Sequence, residues 1–217
     1  MTRPRVLLAD DHTLVLEGFR RLLEEEFDLV GAVEDGKALL AAAEKLRPDA
    51  IVLDISMPLL NGIEAARHLK KALPGAKLVI LTMHADQTFA VEAFRAGASG
   101  YLLKRSAASE LVFALKEVLK GRVYVTPLIA KDMISSILEP GAKVRGQPAK
   151  AAADLSPRQR EVLQLVAEGR SNKEIAAIMN TSLKTVEFHK ARIMEKLDLH
   201  TTADLTKYAI LHGIVAL

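Results

Sequence analysis

The chain of 217 residues contains no cysteine and no tryptophan, and aromatic residues make up only 4% of it. The lack of cysteine excludes disulfides, a thiolate nucleophile and cysteine-based metal sites. The shortage of aromatic residues argues against proteins that bind RNA or single-stranded DNA by stacking bases. Because no apolar run reaches the length of a membrane span and two aspartates follow the first apolar residues, we expect no membrane anchor and no signal peptide. These absences favour a cytoplasmic protein.

The excess of one charge sign is also small, since 30 basic and 27 acidic residues leave a net charge of +3. Acidic and basic residues cancel over residues 1–125, so the excess lies in the C-terminal part of the chain. An excess this small is weak evidence for nucleic-acid binding by itself. Half of the residues are hydrophobic, which is enough to build the cores of two small domains.

Short apolar runs alternate with helical stretches from Arg5 to about Gly121. This alternation is typical of βαβ units with buried parallel strands. Five such units predict a doubly wound α/β domain whose five-stranded, flavodoxin-like sheet has the order 2-1-3-4-5. We therefore assign this domain to residues 1–125, a linker with room for one short helix after Pro127 to 126–153, and a small all-α domain to 154–217.

Polar residues suited to phosphoryl chemistry follow four of the apolar runs: Asp10-Asp11, Asp54, Thr82 and Lys104. In such a sheet, strands 1 and 3 are neighbours at the point where the strand order reverses, and ligands bind beyond their carboxyl ends. Close carboxylates repel one another unless a cation lies between them, and oxygen ligands without His or Cys favour Mg²⁺ or Mn²⁺. Asp54 could then attack a phosphoryl donor while Lys104 and Thr82 contact phosphoryl oxygens.

Residues 1–121 resemble the receiver domain of two-component response regulators, through the acidic pair, Asp54 in LDISMPLLNG, Thr82, and Lys104 in GYLLK. The resemblance implies that a sensor histidine kinase transfers a phosphoryl group to Asp54. It also implies that Mg²⁺ is held by Asp11, Asp54 and the backbone carbonyl of Ser56, with Asp10 close by. Tyr101 matches the switch aromatic of the family, whose ring turns inward when the threonine moves toward the phosphate.

Two positions beside the pocket vary within this family. Met83 follows Thr82, where a smaller residue is common, and we expect its bulk to shield the phosphoryl group from water. Ser56 has neither the amide nor the carboxylate that could position an attacking water. Both positions predict that the phosphoryl group is lost slowly by self-dephosphorylation. Together with the resemblance, we expect a phosphoryl acceptor and not an enzyme.

The C-terminal residues carry the start and stop signals of four helices. Ser156 and Ser171 each precede a glutamine or glutamate by three residues, which is the pattern of a capping box. The second and third helices are joined only by Asn180-Thr181-Ser182, a candidate helix-turn-helix. Because the third helix, to about Leu197, is apolar on one face and mainly basic elsewhere, it suits the DNA major groove.

This segment resembles the LuxR-type helix-turn-helix, and the whole chain resembles a transcriptional regulator of the NarL/FixJ class. The partner expected for it is double-stranded DNA, contacted by Lys173, Lys184, Thr185, Glu187, Phe188, His189, Lys190, Arg192 and Lys196. Glu187 stands where a basic residue is frequent in the family. Its carboxylate would repel phosphate, but it could accept a hydrogen bond from a cytosine amino group.

The last helix, TADLTKYAILHGIV, is amphipathic. The resemblance favours a homodimer, formed when the protein is phosphorylated or DNA-bound, on a pseudo-palindromic site of two half-sites. Candidate dimer contacts are Leu205, Tyr208, Ala209 and His212, although a core role for Leu205 and Tyr208 is equally open.

The leading interpretation is a response regulator in which phosphorylation of Asp54 controls sequence-specific DNA binding and transcription. A Mg²⁺-dependent phosphatase would carry a D-x-D pattern after strand 1, and a flavin-binding module would need a hydroxyl- and glycine-rich loop there. The sequence has neither pattern at this position, which argues against both alternatives. A regulator that binds DNA constitutively, with the receiver as a scaffold, stays open. So does the manner of control: the receiver could cover the helix around 184–196, or phosphorylation could promote dimerisation.

Overall fold

Two domains, one α/β and one all-α, are present in a computed structural model that describes residues 2–138 and 155–215. The strands are β1 Arg5–Ala9, β2 Asp28–Val33, β3 Ala50–Leu53, β4 Lys77–Thr82, β5 Gly100–Leu103 and β6 Tyr124–Val125. The helices of the first domain are α1 Thr13–Glu24, α2 Gly36–Leu46, α3 Gly62–Ala72, α4 Gln87–Arg95, α5 Ala107–Leu119 and α6 Pro127–Leu138. Those of the second domain are α7 Pro157–Ala167, α8 Asn172–Ile178, α9 Leu183–Leu197 and α10 Thr202–Leu211. None of the helices in these described ranges combines the length and the apolar character that a membrane crossing requires.

The sheet is entirely parallel and has the order β2-β1-β3-β4-β5-β6. The predicted order of the first five strands is confirmed, but the prediction of five strands was wrong by one. After α5, Gly121 adopts a left-handed φ of 86° and turns the chain back along the free edge of β5. The Tyr124 N–H then donates to the Ser99 carbonyl and the Thr126 N–H to the Tyr101 carbonyl. A strand of only two residues gives no periodic signal in the sequence.

The two faces of the sheet build two separate hydrophobic cores, because successive strand residues point to opposite faces. One core contains Leu7, Ile51, Leu53 and Ile80, packed against α2, α3 and α4. The other contains alternate residues of the same strands, among them Val6, Leu8, Val52 and Val79, packed against α1 and α5. With both faces covered, polar side chains of the strands are left to emerge at the strand ends.

The helix ends of the second domain follow the predicted signals. Complete capping boxes form at Ser156 and Ser171, and a third forms at Thr201. Asn180 ends the α8 turn with a φ of 48°, and Asp198 ends α9 with a φ of 53°, left-handed conformations that Asn and Asp tolerate better than most residues. These turns fold the four helices around one apolar core.

The helix expected after Pro127 is present as α6, which packs on α4. Ile129 is fully buried and Met133 partly buried in the core beneath α4. The helix therefore extends the packed α/β domain at least this far into the segment predicted as a linker. The remainder of that prediction, residues 139–153, lies outside the described residues, as does the predicted domain start at 154.

The two domains contact each other through α7, which lies against α3 and the loop that precedes it. The guanidinium of Arg160 pairs with the Glu64 carboxylate at 2.5 Å, and His68 Nε2 lies 3.0 Å from a carboxylate oxygen of Glu161. Both acidic side chains are almost fully buried. The contact surface therefore begins immediately after β3, the strand that ends at Asp54.

We expect Gly62→Ala to lower the free energy of unfolding by about 2–3 kcal/mol, because overpacking against rigid backbone cannot relax. A Cβ at Gly62 would overlap the carbonyl oxygen of Asp54. The matched control is Gly18→Ala in α1, where a Cβ meets no atom within 4 Å. That change should stabilise the protein by about 0.5–1 kcal/mol through helix propensity. Urea unfolding of both variants checks the pair, and equal effects would contradict the packing of α3 against the end of β3.

Candidate functional site

The structure brings the strand-end side chains of the α/β domain to one place. Ala9 and Leu53 are partners across β1 and β3, so the next residues, Asp10 and Asp54, lie side by side. Thr82 is the last residue of β4, and Lys104 follows β5 directly. The convergence predicted from the strand order therefore holds in the folded chain.

Four acid and imidazole groups lie close enough to share one cation: a ligand atom from each of Asp10, Asp11, His12 and Asp54 falls within 4.8 Å of the others. Asp10 and Asp54 are each only 3% exposed, whereas Asp11 and His12 face solvent. Buried carboxylates beside open ones suit Mg²⁺ or Mn²⁺, which prefer oxygen ligands and keep several waters. The residues present thus fit the expected cation.

Lys104 bridges the two buried carboxylates. Its Nζ lies 2.7 Å from Asp54 Oδ2 and 2.7 Å from Asp10 Oδ2. Burial by itself would lower the pKa of Lys104, but the charges and hydrogen bonds of Asp54 and Asp10 outweigh it and raise that pKa. Burial likewise raises the pKa of Asp54, against the opposing charge of Lys104. The ammonium thus balances carboxylates that would otherwise repel each other.

His12 was not among the predicted site residues. Its Nδ1 lies 2.8 Å from Asp11 Oδ1 and 3.1 Å from Asp10 Oδ1, and its N–H donates to Asp10 Oδ1. The signal was available in the sequence, because an imidazole directly after a pair of aspartates at a strand end must lie beside them. Its imidazole therefore lies beside the Asp11 carboxylate on the open side of the pocket.

A second group of residues spans the other side of the pocket. Thr82 is fully buried and its hydroxyl accepts a hydrogen bond from the His84 N–H at 3.2 Å. His84 Nε2 lies 3.1 Å from Ser56 Oγ, and its ring stacks on Phe89 with centroids 4.5 Å apart. Burial lowers the pKa of His84, so the ring is neutral at neutral pH. His84, which the sequence analysis did not single out, therefore links the segments after β3 and β4.

Tyr101 already has its ring inside the protein. The side chain is fully buried and its hydroxyl donates to the His84 carbonyl at 2.8 Å. The inward position predicted for the phosphorylated state is thus present while the Thr82 hydroxyl accepts from the His84 N–H. Burial and the charge of Asp86 raise the pKa of Tyr101, so its hydroxyl keeps its proton and stays a donor.

The shielding expected from Met83 stays a prediction, since its side chain lies on the surface. The Met83 side chain is 71% exposed, because it follows the end of β4 on the solvent side. His84, bridged to Ser56, is the bulky group near the pocket instead. This pair is a further candidate for shielding Asp54 from water.

The predicted DNA-contacting residues lie on and beside α9, and the receiver leaves this helix uncovered. Val186 and Ile193 face the domain core, as the apolar stripe predicted. Exposed are Lys173, Lys184, Glu187, Phe188, Arg192 and Lys196, while Thr185, His189 and Lys190 are half-buried. The N-terminus of α9 is capped by Ser182, whose hydroxyl accepts from the Thr185 N–H at 3.1 Å. The domain contact through α7 therefore coexists with an accessible second helix of the helix-turn-helix.

Some of these side chains already have partners within the chain. Lys190 Nζ donates to the Thr202 hydroxyl at 2.8 Å. The Arg192 guanidinium pairs with Glu195 at 2.7 Å and lies 5.6 Å from the centroid of the Phe188 ring. Lys184 lies at the exposed start of α9, where backbone N–H groups also favour phosphate.

Two of the four dimer candidates are corrected by the structure. Leu205 and Ala209 are fully buried in the core of the second domain, so they cannot face a second copy. Their spacing of four places both on the inner face of α10. Tyr208 and His212 are half-buried and contact each other, with ring centroids 4.1 Å apart. Leu211, which sequence reasoning passed over, is 72% exposed on the same helix.

Two family models match the chain: "Response regulator receiver domain" over residues 6–116 and "Bacterial regulatory proteins, luxR family" over residues 153–209. The chain is 37% identical over 213 residues to the uncharacterized transcriptional regulatory protein YxjL of Bacillus subtilis, covering 97% of each chain. It is 34% identical to the response regulator UvrY of Escherichia coli, covering 96% of this chain and 94% of that one. A structure of RcsB from Salmonella enterica serovar Typhimurium, bound to promoter rprA with the phosphomimetic BeF₃⁻, matches with a TM-score of 0.56 and 31% identity. That match covers 98% of this chain and 100% of that one.

We expect Lys104→Met to lower the free energy of unfolding by about 3 kcal/mol in the absence of metal, because two buried carboxylates lose their counter-charge. Burial raises the pKa of Asp54, and loss of the opposing Lys104 charge raises it further, so protonation of Asp54 in the folded variant relieves the repulsion. The deficit should therefore shrink as the pH falls from about 7 to about 5 and grow as it rises. Urea unfolding with EDTA and with Mg²⁺ measures both effects, and Mg²⁺ should restore part of the loss. A deficit independent of pH and of metal would contradict the bridging role of Lys104.

Proposed function

The chain belongs to the response regulators that join a receiver domain to a LuxR-type DNA-binding domain, and we propose that a phosphoryl group on Asp54 controls how it binds DNA. As a two-component response regulator it controls transcription. One observation carries the proposal: Lys104 holds Asp54 in a buried pocket at the carboxyl edge of the sheet, beside further carboxylates. The proposal places this exchange in the cytoplasm, with a sensor histidine kinase as donor.

The chemistry follows from the groups around Asp54. A carboxylate oxygen of Asp54 forms a bond to phosphorus while the bond from phosphorus to the kinase histidine nitrogen breaks, and the electron pair leaves with that nitrogen. Lys104, 2.7 Å from Asp54, would then neutralise one phosphoryl oxygen, and the Thr82 hydroxyl would donate to another. Such a transfer needs mainly position and charge from the protein.

Asp10, Asp11, Asp54 and the Ser56 carbonyl would hold Mg²⁺, or Mn²⁺ in its place. When bound, the cation supplies positive charge that neutralises the phosphoryl oxygens and the clustered carboxylates. The chain's own residues prepare this site, since Asp10 and Asp54 are oriented by Lys104 and by backbone N–H groups before any ligand arrives.

Slow loss of the phosphoryl group is part of the proposal. Water that attacks the phosphoryl group has to be oriented by an acceptor, and Ser56 offers only a hydroxyl that is already paired with His84. His84 is held in turn by the ring of Phe89 and, through its carbonyl, by Tyr101. With its hydroxyl paired to His84, Ser56 is a poor group for aligning a water with Asp54.

On the DNA side, we propose that phosphorylation promotes pairing of two chains on two half-sites. The exposure of α9 argues against control by covering it, because Lys184 and Arg192 are accessible while α7 contacts the receiver. Dimers of RcsB have been seen bound to DNA, and RcsB has been seen bound to promoter rprA in the presence of a phosphomimetic, which supports pairing here. Glu187 is exposed as well, so it can reach a base edge and accept from a cytosine amino group.

The same exposure favours one alternative, a regulator that binds DNA constitutively and uses its receiver as a scaffold. An uncovered α9 needs no signal to enter the major groove. The two candidates differ in whether a phosphoryl group changes the affinity for paired half-sites.

We expect the wild-type chain, incubated with a small phosphoryl donor and Mg²⁺, to gain a phosphoryl group that Asp54→Asn does not gain, as measured by intact mass. On a fragment with two half-sites, selected from random DNA, phosphorylation should raise affinity on the order of 10²-fold. A fragment with one half-site should show little change, because α9 is already open. Uptake with equal affinity for paired half-sites would favour the constitutive alternative, and no uptake with any donor would remove the proposed role of Asp54.

We expect Lys184→Ala to weaken binding to all DNA sequences by a similar factor and to reduce the salt slope of the binding constant by about one, because one phosphate contact is lost. Lys207→Ala, an exposed lysine of α10 outside the predicted contact set, is the control for charge. Fluorescence anisotropy at several salt concentrations gives both slopes. A slope that Lys184→Ala leaves unchanged would show that Lys184 does not reach phosphate.

A further inference from the structure

Residues 56–61 form most of the loop between β3 and α3, beginning two positions after the predicted phosphoacceptor, and the other domain binds the backbone of this segment. The side-chain oxygen of Gln164 in α7 accepts from the Asn61 N–H at 2.7 Å. Its amide nitrogen donates to the Met57 carbonyl at 2.9 Å. Gln164 is only 1% exposed, so both bonds lie out of reach of water. One glutamine thus fixes two ends of this loop.

Glu168, one turn further along the chain, holds the middle of the same loop. Its carboxylate accepts from the Leu59 N–H at 3.1 Å and from the Gln164 side-chain amide at 2.7 Å. Burial raises the pKa of Glu168, against these hydrogen bonds. Gln164 and Glu168 therefore act as one unit that binds three backbone groups of the loop.

Leu59 is a strained residue of the loop, and the second domain covers it. Its φ is 65°, in the left-handed region that residues with a Cβ seldom adopt. Its side chain packs against the apolar core of the second domain rather than that of its own. Contacts with the docked second domain therefore help to offset the strain, beside the hydrogen bonds that the Pro58 carbonyl accepts from the Gly36 and Leu60 N–H groups.

The loop held by Gln164 and Glu168 lies next to the Asp54 carboxylate in the sequence. Ser56 lies two residues after Asp54, and its carbonyl is the one expected to bind Mg²⁺. Its neighbour Met57 has its own carbonyl committed to Gln164. Any shift of this segment toward a cation or a phosphoryl group would stretch or break buried hydrogen bonds to Gln164 and Glu168.

We propose that Gln164 and Glu168 are positioning residues for the reaction at Asp54, which hold the loop in its unphosphorylated arrangement and so slow phosphorylation while the domains are docked. The inference rests on the proposed function of Asp54. Coupling between two sites is reciprocal. If docking of the second domain weakens binding of a cation or phosphoryl group at the pocket, then that binding weakens docking by the same factor. The phosphoryl group would thus release the second domain through backbone hydrogen bonds.

Gln164→Leu in the full chain tests this, because leucine fills similar space and offers no hydrogen bond. We expect apparent Mg²⁺ affinity, measured by calorimetry without donor, to rise at least about five-fold. The rate of phosphoryl uptake should rise as well. Circular dichroism and thermal unfolding establish that the variant is folded. A merely structural role would lower thermal stability without tightening the binding of Mg²⁺.

Glu168 provides a matched pair. Glu168→Ala removes the acceptor of the Leu59 N–H and should behave like Gln164→Leu, whereas Glu168→Gln keeps an acceptor oxygen and should resemble the wild type. This pair also decides the matter if Gln164→Leu fails to fold. Lys207→Gln, a change at an exposed residue of α10, should leave both measurements unchanged.

Unchanged or weaker Mg²⁺ binding in Gln164→Leu and Glu168→Ala would overturn the inference, as would slower uptake in both. Failure of the proposed function is distinguishable, since it appears as absent uptake in the wild type itself. In that case the Mg²⁺ measurement, which needs no phosphoryl transfer, still decides whether the clamp acts on the pocket.

Discussion

The ammonium of Lys104 between two buried carboxylates is the interaction on which the rest of the receiver depends. Parallel strands bring Asp10 and Asp54 into adjacent positions whatever their charges, and burial on both faces of the sheet leaves little water to separate them. Lys104 Nζ, 2.7 Å from each, makes this arrangement compatible with a folded protein. The same balance makes the site responsive, because any added cation or phosphoryl group must redistribute the charge that Lys104 now neutralises.

Two chains of contacts connect the pocket around Asp54 to the rest of the structure, so a change of charge there can be transmitted along either. One passes through Thr82 and His84 to Tyr101 and Phe89, at the start of α4. The other follows the backbone from Asp54 through the loop to α7 of the second domain. The first is internal to the receiver, whereas the second crosses directly to the DNA-binding domain without passing through the segment that joins the domains.

Much of this architecture could be predicted from the sequence, because its signals are local. Apolar runs that end in Asp54 or Lys104 indicate strand ends. Ser156 and Ser171 predict helix starts, and both helices begin there in the structure. The misses are non-local. β6 forms only because the edge of β5 is free, and whether Leu205 faces a core or a partner depends on how α10 rotates against α7. The contacts of Gln164 with residues more than a hundred positions away leave no periodic trace in the sequence.

The left-handed Leu59 bears on how separable the two domains are. A receiver cut from this chain would keep its sheet and its carboxylates, but the N–H groups of Leu59 and Asn61 would lose their acceptors and the Leu59 side chain would lose its apolar surroundings. Relaxation of that residue would move the segment next to Asp54. The set of residues that determines the reactivity of Asp54 therefore extends beyond the α/β fold and includes one face of α7. The two domains are separate folding units, but the chemistry of the pocket depends on both.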